Sequence, residues 1–181
     1  MKISKGEYLI KTRERIFRET FKSVQLLNLT VLYYDFDFSK EELISICNKL
    51  IENDSKLDDV NWCIENTFKL EKMLGSPISS IIREFPYRSR IKMMGGIPRG
   101  DMQVVNIANE SSSKAITSLF LLVVSTMIDE KKWNRNDIET WWQHMKENSE
   151  NYKKGMTDSF IAEYFKEQID VEITDTEDNK I

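Results

Sequence analysis

The chain reads as a mainly α protein, a compact bundle of six or seven helices. Three observations predict this. Only three Pro and six Gly punctuate 181 residues, too few for a turn-rich β fold. Apolar residues recur at spacings of three and four along most of the sequence, the period of a helix with one buried face. Hydrophobic residues make up 40% of the chain, with four Trp and nine Phe, which supplies bulky anchors for one core. A small β-hairpin or an irregular basic loop at about residues 85–107 is the expected interruption. Residues 1–169 form the expected helical domain. Residues 170–181, rich in Asp and Glu, are expected to form a disordered acidic tail.

The first helix is expected from about Ser4 to Tyr33. Leu9, Ile16, Phe17, Val24, Leu27 and Val31 fall on one face. Lys11, Arg15, Arg18 and Lys22 make a straight basic stripe on the opposite face. Arg13 projects near the apolar side, where it either snorkels outward or meets a buried carboxylate. "YYDFDFSKEEL" then breaks the helix, and Ser39 with Glu42 forms a capping box that starts the next. That helix carries Leu43, Ile46, Cys47 and Leu50 at core spacing. Asp58 or Asp59 caps a third helix, with Val60, Cys63, Ile64, Thr67, Phe68 and Leu70 along or beside its apolar stripe. Gly75 closes it in a left-handed conformation.

Pro77 opens a short helix and Phe85-Pro86 stops it. "RIKMM" and "MQVVNI" flank the glycines as two arms of the hairpin or loop. Ser111 or Ser112 is the expected cap of a central apolar helix containing "AITSLFLLVVSTMI" (115–128). That run is shorter than the ~20 apolar residues of a membrane span, so a buried helix and no membrane partner are expected. "NRND" (134–137) turns the chain and caps a helix with Ile138, Trp141, Trp142 and Met145. Gly155 ends that helix, and Thr157 caps the last one.

The formal net charge is −4, yet two regions are basic. Residues 83–101 hold Arg83, Arg88, Arg90, Lys92 and Arg99 against Glu84 and Asp101. Residues 1–22 hold seven bases against three acids. Charge segregated in this way lets one face approach an anionic partner while another repels it. "MMGGIPRGD" lacks the G-x-x-x-x-G-K-[ST] pattern of a phosphate-binding loop, and GG-x-P-x-G suits a tight turn. A membrane-lying basic helix is disfavoured, because the apolar side of the first helix matches a protein core.

Candidates for chemistry are sparse. His144, the one histidine, sits between Trp142 and Met145 without a second His for a zinc set. Cys47 and Cys63 are too far apart in sequence for a CxxC site and read as small hydrophobes, consistent with a reducing, cytoplasmic setting. The opening "MKISKGEYLIK" lacks a signal-peptide core, which supports the same expectation. Asp35 and Asp37, with Glu41 and Glu42 nearby, are the candidates for Mg²⁺ binding in a hydrolase, but loop capping accounts for them better. No cofactor and no bound metal are expected. Trp133, Trp141 and Trp142 read as core anchors.

The segment "TVLYYDFDFSKEELISICNKLIE" (30–52) resembles small proteins of phages and mobile elements from low-GC Gram-positive bacteria. In those proteins an aliphatic helix, a short FGF-like aromatic break and a second helix follow in order. Here the break is Asp35-Phe36-Asp37-Phe38, with Asp where they often have Gly. The Lys-, Ile- and Asn-rich usage is similar to that of such genomes. Small phage proteins of this kind include inhibitors of host defence, among them inhibitors of the CRISPR nuclease Cas9. The resemblance implies a binding protein of the bacterial host cell without a reaction of its own.

The functional expectation is therefore a non-enzymatic protein that binds a protein or ribonucleoprotein, with Cas9 and its guide RNA as the implied example. The expected contact residues are Lys11, Arg15, Arg18, Lys22, Arg88, Arg90, Lys92 and Arg99. The alternative is a DNA- or RNA-binding accessory protein of phage replication or regulation. A homo-oligomer closed by exposed aromatics is a third outcome.

Overall fold

The computed structural model describes residues 4–96 and 102–170. Its spine is a pair of 30-residue helices, α1 (Lys5–Tyr34) and α6 (Met102–Lys131). The two run in the same direction. Phe17 of α1 meets the Lys114 ammonium toward one end, and Phe38, just beyond α1, meets Lys131 at the other. Between them in sequence come α2 (Lys40–Asp54), a 3-10 turn (Ser55–Asp58), α3 (Val60–Leu74), α4 (Ile78–Arg83) and α5 (Tyr87–Met93). α7 (Arg135–Lys153) and α8 (Asp158–Ile169) follow α6. The mainly α class holds, with eight α-helices among the described residues and no strand among them.

The eighth helix lies inside the basic connection, where a hairpin or irregular arms were expected. Ser89 and Met93 are buried four residues apart, and so are Val104 and Ala108. That is helical spacing, and it overrides the strand preference of the β-branched "QVVNI". The caps expected at Ser111 and Ser112 are absent for the same reason. α6 has already run for nine residues, and their hydroxyls donate back to the Ile107 and Asn109 carbonyls. Residues 97–101 of the connection lie outside the described residues.

α6 is the core helix. Leu119, Phe120, Leu121, Leu122, Val123 and Val124 are consecutive and all buried, so its apolar surface extends around the helix. By length and composition it could cross a membrane, but 67% of its most apolar window is buried within the bundle. Trp141 of α7 is fully buried against Phe120, Trp133 and Trp142, with ring centroids 5.8, 6.1 and 5.7 Å away. Its indole N–H donates to Asn28 Oδ1 at 2.9 Å, so α7 is keyed to α1 by a polar contact inside an apolar cluster. Burying each such ring contributes about 3 kcal/mol; the hydrogen bond mainly prevents the loss an unpaired indole N–H would cause. Arg13 is exposed and projects into solvent.

The helix ends follow the sequence closely. Ser39 and Glu42 form the expected capping box, Asp59 accepts from Asn61 and Trp62, and Gly75 takes φ 72° beyond α3. Asn134 with Asp137 and Thr157 cap α7 and α8. Pro77 is the cap residue of α4 itself, one position earlier than expected. Glu42 also accepts from Lys131 of α6, which ties the start of α2 to the end of the core helix. Asp170, assigned to the tail by its sequence, is the C-cap of α8 at φ 53°, and its carboxylate accepts from Lys40 at 2.8 Å. The remainder of the tail lies outside the described residues.

The aromatic break has a backbone cause. Phe36 packs on Trp133 at 5.3 Å and Phe38 is buried, while Asp37 between them sits exposed at φ 53°. The residue between the two rings thus occupies the left-handed region that glycine takes at least cost. Asp37→Gly is expected to stabilise the fold by about 0.5–1 kcal/mol, read as a higher urea midpoint at unchanged slope. A second expectation concerns pH. Lys131 first, then the Ser39 backbone N–H, hold the Glu42 carboxyl below its ordinary range. A carboxyl lowered by folding stabilises the native state above its ordinary range, and the contribution is lost as pH falls through the lowered value. Glu42→Gln should therefore lower the melting temperature at neutral pH and leave it unchanged in strong acid.

Candidate binding cleft

The side chain that builds the site is Asp158, at the first position of α8. Thr157 stops the preceding turn and accepts from the Phe160 N–H, which aims Asp158 back at α1. Asp158 Oδ2 accepts from the Ser23 hydroxyl at 2.8 Å, and Oδ1 accepts from the Tyr152 phenol at 2.9 Å. Three helices, α1, α7 and α8, meet at this carboxylate. Burial first, then the Asp158 charge and its hydrogen bond, push the Tyr152 phenol far up. Tyr152 is a neutral donor at every physiological pH, suited to fastening the carboxylate and unsuited to base chemistry.

Over this floor opens a cleft of about 510 Å³. Glu19 and Lys22 of α1 form one wall, Lys92 and Gly95 at the end of α5 another, and Thr157 and Ser159 of α8 the third. Position 95 explains the paired glycines. The Gly95 N–H donates to the Lys92 carbonyl and the Gly96 N–H to the Ile91 carbonyl, the pattern of a Schellman cap with Gly95 left-handed at φ 73°. The turn lets α5 stop against α1. A Cβ built on Gly95 would lie 3.9 Å from Arg15 Nη1, so the Arg15 guanidinium borders the same opening.

Two basic regions some seventy residues apart in sequence therefore converge. Arg15, Lys22 and Lys92 come to one cleft and its rim. Arg18 is exposed on the α1 stripe between them. Lys11 continues that stripe one turn earlier and is paired with Glu7 at 3.0 Å. Arg88 is exposed one turn before Lys92, on the same flank of α5. Arg90 departs from the expectation. It occupies the opposite flank, half-buried, with Nη1 donating to Ser113 of α6 at 2.9 Å and its guanidinium 5.6 Å from the Tyr87 ring. Burial lowers its pKa, and its Nε is buried without a partner. It serves packing between α5 and α6. Arg99 lies outside the described residues.

The cleft itself balances Lys22 and Lys92 against Glu19 and Asp158. Asp158 is already satisfied by two donors, and the Thr157 and Ser159 hydroxyls share a hydrogen bond at 3.0 Å while Thr157 also caps α8, so the charged groups on the walls are the Lys22 and Lys92 ammoniums and Glu19. Ammonium groups are the donors in this set that could meet a carboxylate or phosphate.

The other candidates resolve as follows. Asp35 accepts from Asn148 Nδ2 at 3.0 Å and lies 3.4 Å from His144 Nδ1. His144 packs edge-on against Phe36. Among the described residues no three His, Cys, Asp or Glu side chains converge as a metal site would require. Both cysteines are free; burial pushes the Cys47 thiol up, and Cys63 points at the Leu57 carbonyl. Ser23, Tyr152 and Asp158 carry no motif, and the sequence reading missed them. The one local signal was Thr157, whose capping role places an N1 acid at the bundle surface.

No protein-family model, curated protein or solved structure matches this chain. Tyr152→Phe removes one of the two donors to Asp158 and is expected to cost about 1–2 kcal/mol, measured by urea denaturation.

Proposed function

We propose that the chain is a non-enzymatic binding protein that engages an anionic protein or nucleoprotein partner through the cleft between α1, α5 and α8. One observation carries the reading: Arg15, Lys22 and Lys92 reach one opening from sequence-distant helices, above a floor whose carboxylate is occupied internally. The floor groups Ser23, Tyr152 and Asp158 are bonded to one another, and Lys22 and Lys92 stand on the walls above them. Acidic side chains or phosphates of a partner are the matching chemistry. The resemblance of residues 30–52 to phage proteins makes a Cas9 complex with its guide RNA the partner to try first. Such a complex has a strongly charged surface and a conformational step that an occupant can block.

A second reading, a DNA- or RNA-binding accessory protein, draws on the straight run of Lys11, Arg15, Arg18 and Lys22 along the outer face of α1. Its mark is affinity that falls steeply with salt, as release of condensed counterions requires.

Affinity capture from a host lysate, with and without nuclease treatment, tests both. Lys22→Glu/Lys92→Glu is expected to retain the helical circular-dichroism spectrum and to lose at least about tenfold in capture. Capture of a protein, with or without its bound RNA, supports the first reading, and capture of nucleic acid alone, abolished by nuclease, supports the second. Undiminished capture by the double variant removes the cleft from the account.

A further inference from the structure

Tyr87 opens α5 with 49% of its surface in solvent. The chain around it fixes that placement. Phe85 turns inward and packs on Trp142 at 5.6 Å. Pro86 is the cap residue of α5, its φ held at −57° by the pyrrolidine ring. Ser89 and Met93 face the core, so Tyr87 comes out on the opposite side of the helix. The Arg90 guanidinium lies over the tyrosine ring at 5.6 Å and is itself held by Ser113 of α6. A cation therefore steadies the ring from within the fold, and the ring stays open to solvent beyond it.

The helix that carries this ring has one sign of charge. α5 reads YRSRIKM, three cations and no acid. Arg88 and Lys92 are exposed one turn apart on one flank, about 5–6 Å between Cβ atoms. Glu84, just before the helix, accepts from Lys146 of α7 at 2.8 Å. Glu150, further along α7, is half-buried and already engaged. Glu110 of α6 is exposed one turn before Ser113, so it stands on the Arg90 side of α5 and not on the Arg88 side. Glu19 shares the cleft with Lys92, and Arg88 and Tyr87 lie outside that cleft.

An acidic peptide would use the cations and leave the ring idle. A nucleic acid uses both, since every base has a π face for an aromatic ring and every phosphate meets a cation. A duplex keeps its base faces in its own stack, so the matching form is single-stranded. We propose that Tyr87 is a stacking platform for one base of a single-stranded nucleic acid whose backbone runs along Arg88 and Lys92. The phosphate contact at Lys92 rests on the cleft reading; the stack on Tyr87 does not.

Fluorescence anisotropy of a short labelled oligothymidylate with the full chain, at low salt, tests the proposal. Saturable binding that weakens steeply with added salt is expected. Tyr87→Ala should raise the Kd at least about fivefold with an unchanged circular-dichroism spectrum, and Tyr87→Phe, which keeps the ring, should stay within about twofold. A duplex of the same length should be indifferent to Tyr87→Ala. The absence of saturable binding overturns the proposal, and so does a Tyr87→Phe loss equal to that of Tyr87→Ala. A polyglutamate peptide that binds with the same dependence on Tyr87 overturns it too and gives the surface to a protein. Lys22→Glu/Lys92→Glu separates the two readings. Oligonucleotide binding that falls with this variant but ignores Tyr87→Ala overturns the stack alone. Binding that needs Tyr87, in a chain whose partner capture survives the charge reversal, supports the stack and overturns the cleft.

Discussion

A carboxylate taken partly out of water must find donors, and Asp158 finds them on two other helices. Ser23 in α1 and Tyr152 in α7 each give it one hydrogen bond. An unpartnered carboxylate in that position would carry a large desolvation penalty, so α8 is held where both donors reach it. That position fixes the third wall of the cleft. The wall opposite depends on a different constraint, the left-handed turn at Gly95 that ends α5 against α1. Lys92 and Lys22 line one cleft because these two conditions hold together.

The platform beneath is apolar and redundant. α6 buries six consecutive side chains, and α7 packs Trp141 into them while donating to Asn28. This core gives the surface helices a rigid reference, as close-packed interiors do. The same packing explains Arg90. Its stem and guanidinium fill the seam between α5 and α6, so a residue that contributes to the local basic charge of the sequence is not part of the surface that charge suggests. Conversely Val60, Ile64 and Phe68 have core-like composition and spacing but remain outside, because α3 meets the bundle with its other side.

Local features were legible in the sequence. The capping box at Ser39, the αL stop at Gly75 and the caps at Asn134 and Thr157 are set by neighbouring residues, and the structure has them. The period of α1 likewise placed Ile16, Val24, Leu27 and Val31 inside and the basic stripe outside. What depends on tertiary approach was not legible. "MQVVNI" has the composition of a strand and becomes helix because Val104 and Ala108 pack against the bundle. Ser23 and Asp158, 135 residues apart, carry no pattern that links them. The exposure of the α3 stripe was equally hidden, since an apolar spacing says which face is greasy and never what covers it.

The account rests on the convergence of Arg15, Lys22 and Lys92 at one opening and on the proposal that this opening takes anions. An amide NMR titration of the full chain with a short polyaspartate peptide and, separately, with a short oligonucleotide tests that most directly. The account predicts saturable shifts concentrated at Lys22, Lys92, Gly95 and Thr157 with at least one of these probes. Shifts scattered over Arg83, Arg135 and Lys166, or none with either probe, would contradict it.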